Sequence, residues 1–215
     1  MLRPPAAHEE TAYEGGFFHF IVTNYREFAA LAASNRTKYR MLGKRNIFLI
    51  GPMGSGKTAV GRHLARALRF TFYDSDADIE ARTGVDIAFI FEKEGEAGFR
   101  VREKESIERL TRLDSIVLAT GGGAVIDEDN RRVLAERGLV VYLATSIDQQ
   151  IERTRHGRHR PLLNDTDPER KLHELMQRRA VLYSQIADVT VSTDGRRVQL
   201  VAEEIHHALR RAQAH

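Results

Sequence analysis

The stretch GPMGSGKTAV, residues 51–60, follows the apolar run NIFLI, residues 46–50, and runs into KTAVGRHLARAL. Gly51, Gly56, Lys57 and Thr58 satisfy the spacing G-x-x-x-x-G-K-[ST], with a strand before it and an amphipathic helix after it. Glycines at Gly51, Gly54 and Gly56 let backbone wrap a phosphate chain without Cβ clashes. Successive amides through Ser55, Gly56 and Ala59 and the helix start supply positive potential. Lys57 is placed to reach the β- and γ-phosphates, and the Thr58 hydroxyl to ligate Mg²⁺. The chain is therefore expected to bind a nucleoside triphosphate. A GTPase switch is disfavoured because no N-K-x-D motif follows. A motor-type ATPase is disfavoured because no apolar strand ends in the aspartate of a standard second nucleotide motif; SIVLAT, residues 115–120, runs straight into Gly121. A small-molecule kinase remains.

Working outward, strands alternate with helices. Strands are expected at NIFLI, FTFYD (70–74), SIVLAT, LVVYLA (139–144) and DVTVS (188–192). The helix at Lys57–Leu68 carries Val60, Leu64, Ala67 and Leu68 at helical spacing. A helical, charged region extends from Asp78 to Leu113, broken around Gly95–Gly98. Further helices are expected at NRRVLAERG, with Gly138 as C-cap, and at SIDQQIERTR, with Ser146 as N-cap. Two more follow, DPERKLHELMQRRAVLYSQI with Asp167 as N-cap and Pro168 in its first turn, and RRVQLVAEEIHHALRRA. The pattern implies an α/β fold of three layers, with a central parallel sheet of about five strands and helices on both faces.

The acceptor side is less local. FYDSDADIE puts Asp74 and Asp76 at a strand end, where open α/β sheets bind ligands. One can support Mg²⁺ through water, and the other can take a hydroxyl proton. The ordinary alternative is an N-cap pair, although Asp78 could cap alone. EAGFRVRE places Arg100 just inside a helix start, ATGGGAV offers bare backbone, and RRAVLYSQIAD carries Arg178 and Arg179. Each arginine singly reads as surface charge. Together with an aspartate they suggest a small hydroxylated carboxylic acid. RTRHGRHRPLLND, dense in Arg and His, reads as a mobile lid with Arg160 as a stabiliser of the transferred group, or else as an exposed basic loop. His156 and His159 are read as solvated, because the surrounding arginines repel a cation.

The bulk properties fit. The chain has 215 residues, 42% hydrophobic and 29% charged, with a formal net charge of only +3. That is one domain with a full core and little reason for a nucleic-acid partner. There is no cysteine, so thiolate chemistry and disulfides are excluded. No apolar run approaches the ~20 residues of a membrane span. Composition changes near Met41. Residues 1–40 read as an extension, with a flexible tail over Met1–Gly16 and a short amphipathic helix over Tyr25–Ala33.

The ordered blocks KRNIFLIGPMGSGKT, FYDSDADIE, EGEAGFRVRE, VLATGGG, RPLL and LYSQIADVTV closely resemble bacterial shikimate kinase, from Lys44 into the C-terminal helix. The resemblance implies a nucleoside-monophosphate-kinase-like P-loop fold with a mobile lid. It also implies transfer of the ATP γ-phosphate to the 3-hydroxyl of shikimate, on the route to chorismate and aromatic amino acids. By that resemblance Asp76 binds the acceptor hydroxyls and serves as base, Arg100 and Arg179 hold the carboxylate, and Gly122 meets the ring substituents. Arg160 reaches the phosphates, Arg153 stacks near the adenine, and Thr58 ligates one Mg²⁺ per subunit with Asp74 assisting through water. The expectation is a cytoplasmic monomer acting on ATP and shikimate, with no nucleic-acid or membrane partner. MLGKRNIFLI looks like the family's usual beginning, so residues 41–215 are expected to form the kinase domain and residues 1–40 to be dispensable. Other P-loop kinases, acting on gluconate or a nucleotide, and a non-catalytic ATP-binding module are the competing readings.

Overall fold

Every second residue of the central strands faces the same side of the sheet, and both sides are covered. This is why those strands read as unbroken apolar runs. A computed structural model describes residues 46–155 and 167–213. The strands are β1 (Ile47–Ile50), β2 (Thr71–Asp74), β3 (Ile116–Ala119), β4 (Leu139–Ala144) and β5 (Val189–Ser192). They form one parallel sheet in the order β2-β3-β1-β4-β5. Ile47 lies opposite both Val117 and Leu139, so β1 is central and its C-terminal end opens at the switch of strand order.

The helices are α1 (Lys57–Leu68), α2 (Ser75–Thr83), α3 (Ile87–Leu110), α4 (Glu128–Arg137), α5 (Ile147–Thr154), α6 (Pro168–Ile186) and α7 (Val198–Gln213), with a 3-10 turn at Ala124–Ile126. On one face Phe48, Leu118, Val140 and Tyr142 pack against Ile107 of α3, Leu134 of α4 and Tyr183 of α6. On the other, Leu49, Val117, Val141 and Leu143 pack against Leu64 of α1 and Ile205 of α7. The expected three-layer α/β architecture is present. β1 and β3 are buried throughout, whereas the edge strands β2 and β5 are partly exposed.

Several local expectations change. Ala67 of α1 is exposed, and Ala65 fills the core position instead, because the buried stripe runs through Val60, Gly61, Leu64 and Ala65. The region expected as one broken helix from Asp78 is two helices. α2 starts earlier, at Ser75, and ends at Gly84 with φ 73°. α3 starts after Asp86, whose carboxylate accepts from the Phe89 amide, and bends at Gly95 (φ 70°, ψ −174°). α2 and residues of α3 on both sides of its bend share a small core of Ile79, Ile90 and Phe99 separate from the other two clusters. Gly138 is the C-cap of α4 as expected, in extended rather than left-handed conformation. Glycine is needed there because a Cβ would strike the Phe48 ring. Ser146 and Asp167 cap α5 and α6 as expected. The extension (1–40) and the lid segment with His156, His159 and Arg160 lie outside the described residues.

Candidate active site

The phosphate loop joins β1 to α1. Gly51 (φ 142°), Gly54 (φ 77°) and Gly56 (φ 86°) all occupy backbone regions that favour glycine. Space is also short: a Cβ on Gly51 would lie 2.5 Å from the Leu143 carbonyl oxygen, and one on Gly54 3.2 Å from Gln150 Cα. The loop is therefore wedged between the end of β4 and α5. Ser55 is buried beneath it, and Ala59 is exposed on the first turn of α1. The Lys57 ammonium curls back over the loop and donates to the carbonyls of Gly51 (2.8 Å) and Pro52 (2.7 Å).

Thr58 Oγ1 donates to Asp74 Oδ2 at 2.7 Å. The other Asp74 oxygen accepts from the amides of Asp76 (3.1 Å) and Ala77 (3.4 Å), so Asp74 is the N-cap of α2. The capping role weighed as the ordinary alternative for the Asp74 and Asp76 pair thus falls to Asp74, and Asp78, which could have capped alone, does not cap. Asp78 sits one turn into α2, where it accepts from Ser106 Oγ (2.7 Å) and pairs with Arg109. Capping does not spend Asp74, because its second oxygen still faces Thr58. A hydroxyl and a carboxylate beside a phosphate loop are hard oxygen donors of the kind Mg²⁺ accepts alongside phosphate and water. Among the described residues no group of three or more His, Cys, Asp or Glu could hold a metal by itself.

Asp76 is half-buried beside Asp74 and Glu103, and its pKa is pushed up to about 7. Removal from water is the main cause, followed by the carboxylates of Asp74 and Glu103, with Lys57 opposing. Ser75 Oγ accepts from the Gly121 amide (2.9 Å) and donates to Asp76 (3.4 Å), tying the α2 start to the glycine run after β3.

Glu103 was not singled out by the sequence reading. It is fully buried, its Oε2 lies 2.5 Å from Arg100 Nη1, and its Oε1 has no hydrogen-bond partner among the described residues. Burial holds its pKa above the usual range, with Arg100 and Arg179 opposing. A Cβ on Gly121 would collide with Glu103 Oε1 and approach Asp76 Oδ1 to 3.0 Å, and one on Gly123 would collide with the Arg100 guanidinium. Bare backbone is what lets these charged groups gather. The i, i+3 spacing of Arg100 and Glu103 was the available signal, since it puts both on one helix face. Arg100 itself sits well inside α3, five residues after the bend at Gly95.

Arg178 and Arg179 separate cleanly. Arg178 is exposed, whereas Arg179 is 4% exposed and donates to the Gly122 carbonyl at 3.4 Å. The Tyr183 hydroxyl, one turn further along α6, donates to the same carbonyl at 2.5 Å. Burial raises the pKa of that phenol, which stays protonated and able to donate. On the nucleotide side Arg153 donates from Nη1 to the carbonyl of Gly54 (3.1 Å) and from Nη2 to that of Thr193 (2.8 Å).

A phosphate cradle at the end of β1, opposite a buried pocket edge carrying an aspartate and two inward arginines, defines a P-loop kinase of small molecules. The family profile described as shikimate kinase matches residues 53–210. Shikimate kinase of Hahella chejuensis is 52% identical over 171 residues, covering 80% of this chain and 89% of that protein. Shikimate kinase of Shewanella amazonensis is 53% identical over 165 residues, covering 77% and 96%. The structure of shikimate kinase from Acinetobacter baumannii in complex with shikimate aligns at a TM-score of 0.77 and 45% identity, over 81% of this chain and 97% of that one. A gluconokinase from Sinorhizobium meliloti, at 20% identity and a TM-score of 0.51, shares the fold alone. The chain belongs to the shikimate kinase family, and it is an enzyme with ATP as co-substrate.

Proposed function

We propose that the protein transfers the γ-phosphoryl group of ATP to the 3-hydroxyl of shikimate, giving 3-phosphoshikimate and ADP. The observation that carries this reading is the convergence of Asp76, Arg100 and Arg179 around the bare backbone of Gly121–Gly123, next to the phosphate loop. Two guanidinium groups suit a carboxylate, and a carboxylate of raised pKa suits a hydroxyl that must lose a proton.

Asp76 orients the 3-hydroxyl and accepts its proton as the oxygen–phosphorus bond forms and the bond to the β-phosphate oxygen breaks. Lys57 leaves its loop carbonyls for the phosphates and, with the amides of Gly54–Ala59, stabilises charge on the transferred group. Thr58 and Asp74 would hold one Mg²⁺, which neutralises charge on the β- and γ-phosphates. Gly122 meets the ring substituents, Arg153 stacks near the adenine, and Arg160 reaches the phosphates, adding charge stabilisation to that of Lys57. Residues 41–215 carry this activity as a cytoplasmic monomer, with residues 1–40 a dispensable extension. No described helix is long and apolar enough to cross a membrane.

The test is ADP release by the purified chain with Mg²⁺ and ATP, offered shikimate, gluconate or a nucleoside monophosphate. Turnover with shikimate alone is expected. A folded, ATP-binding sample that turns over gluconate or the nucleotide instead would overturn the acceptor assignment.

A further inference from the structure

The turn after β5 is tied to the start of α5 by one carboxylate. Asp194 Oδ1 accepts from Thr145 Oγ1 (2.7 Å) and from the Ser146 amide (2.9 Å), and its Oδ2 reaches the same amide at 3.1 Å. Thr145 is buried, and Ser146 is the N-cap of α5, so its own amide has no partner within the helix. The residue before Asp194 meets the other end of the same helix: Thr193 Oγ1 and its carbonyl accept from Arg153, at 3.1 and 2.8 Å. Arg153 also donates to Gly54 of the phosphate loop, and Gly54 in turn lies against Gln150 of α5. The contacts close a ring: Thr193 and Asp194, the start of α5, the end of α5 at Arg153, and Thr193 again. One corner of that ring rests on the phosphate cradle.

We propose that Asp194 is a positioning residue for the nucleotide. It holds the β5–α7 turn and α5 in register, and so sets the Arg153 guanidinium against Gly54 of the phosphate loop, from where it is proposed to stack near the base. The inference rests on the kinase reading for its ligand, ATP, but not on the identity of the acceptor. Its signature is selective: loosening Asp194 weakens the nucleotide and leaves the acceptor side, built on α2, α3 and α6, untouched.

The experiment uses the full chain as wild type, Asp194→Ala, Asp194→Asn and Thr145→Val. Affinity for a non-hydrolysable ATP analogue with Mg²⁺ is read by calorimetry, KM for ATP and shikimate by turnover, and Tm by scanning calorimetry. Asp194→Ala should weaken the analogue about tenfold, the equivalent of one charge-assisted hydrogen bond, and raise KM for ATP in step. KM for shikimate should not change. Asp194→Asn keeps an acceptor oxygen for Thr145 and Ser146 and should recover most of the affinity. Thr145→Val removes one donor while keeping the shape, should show a smaller loss, and serves as the test if Asp194→Ala does not fold. A lowered Tm with unchanged analogue affinity in these variants would overturn the proposal, as would an equal rise in both KM values. Absence of shikimate turnover in a wild type that binds the analogue would sink the acceptor reading and leave this one standing.

Discussion

The two halves of the site are built in opposite ways. The nucleotide half is eight consecutive residues, Gly51–Thr58, made mainly of backbone. The proposed acceptor half gathers side chains from α2, α3 and α6 around the glycines that follow β3. The first half works wherever a strand feeds a helix through that loop, because its amides point inward by virtue of backbone conformation. The second, as proposed, needs three helices to hold Asp76, Arg100 and Arg179 at the right heights around Gly122. A contiguous cradle carries its own donors, and meets α5 through the contacts of Gly54 with Arg153 and Gln150. A cluster assembled across the fold is vulnerable at each supporting contact.

The largest expected effect separates the halves outright. Asp76→Asn should abolish phosphoryl transfer and leave ATP affinity close to wild type in a direct titration. Collapse of ATP affinity would instead make Asp76 part of the nucleotide half. The same variant has a stability signature. An aspartate raised from 3.8 to about 7 binds its proton more tightly in the folded chain than in the unfolded chain. Folding stability from this group therefore falls as pH rises from about 4 to about 7. Asp76→Asn should melt higher than wild type at pH 8 without ligands, with the gap closing towards pH 4.

Lys57→Ala tests the cradle. It should cost roughly 3 kcal/mol or more of transition-state stabilisation, on the scale of a lost preorganised donor, read as kcat/KM for both substrates. A turnover near wild type would remove Lys57 from the mechanism. Arg179→Ala should act on one half only, raising KM for shikimate far more than KM for ATP, and equal effects would undo the carboxylate clamp. Tyr183→Phe is the finest cut. It deletes only the hydroxyl on the Gly122 carbonyl and should cost about 1 kcal/mol in shikimate affinity with the ATP side unmoved.

Legibility follows the same division. The cradle, the strand and helix that flank it and the caps at Ser146 and Asp167 were readable because each depends on a few neighbouring residues. The acceptor half was readable as a set of residue types but not as an arrangement. Asp74 and Asp78 are chemically the same, yet Asp74 caps α2 and faces Thr58 while Asp78 turns to Ser106 and Arg109. Glu103 looks like any charged residue of a polar helix until the glycines after β3 are packed beside it.

By itself the sequence determined the nucleotide chemistry, the alternation of strands and helices, and the family, through short ordered blocks whose meaning is local. Tertiary structure alone decided which of the described arginines face inward. It buried Arg179 beside exposed Arg178, set Glu103 against Arg100, and linked Asp194 to Ser146 across 48 residues of chain. The physical reason is that backbone conformation is set by neighbours in sequence, whereas burial and the direction of a side chain are set by whatever element packs against it.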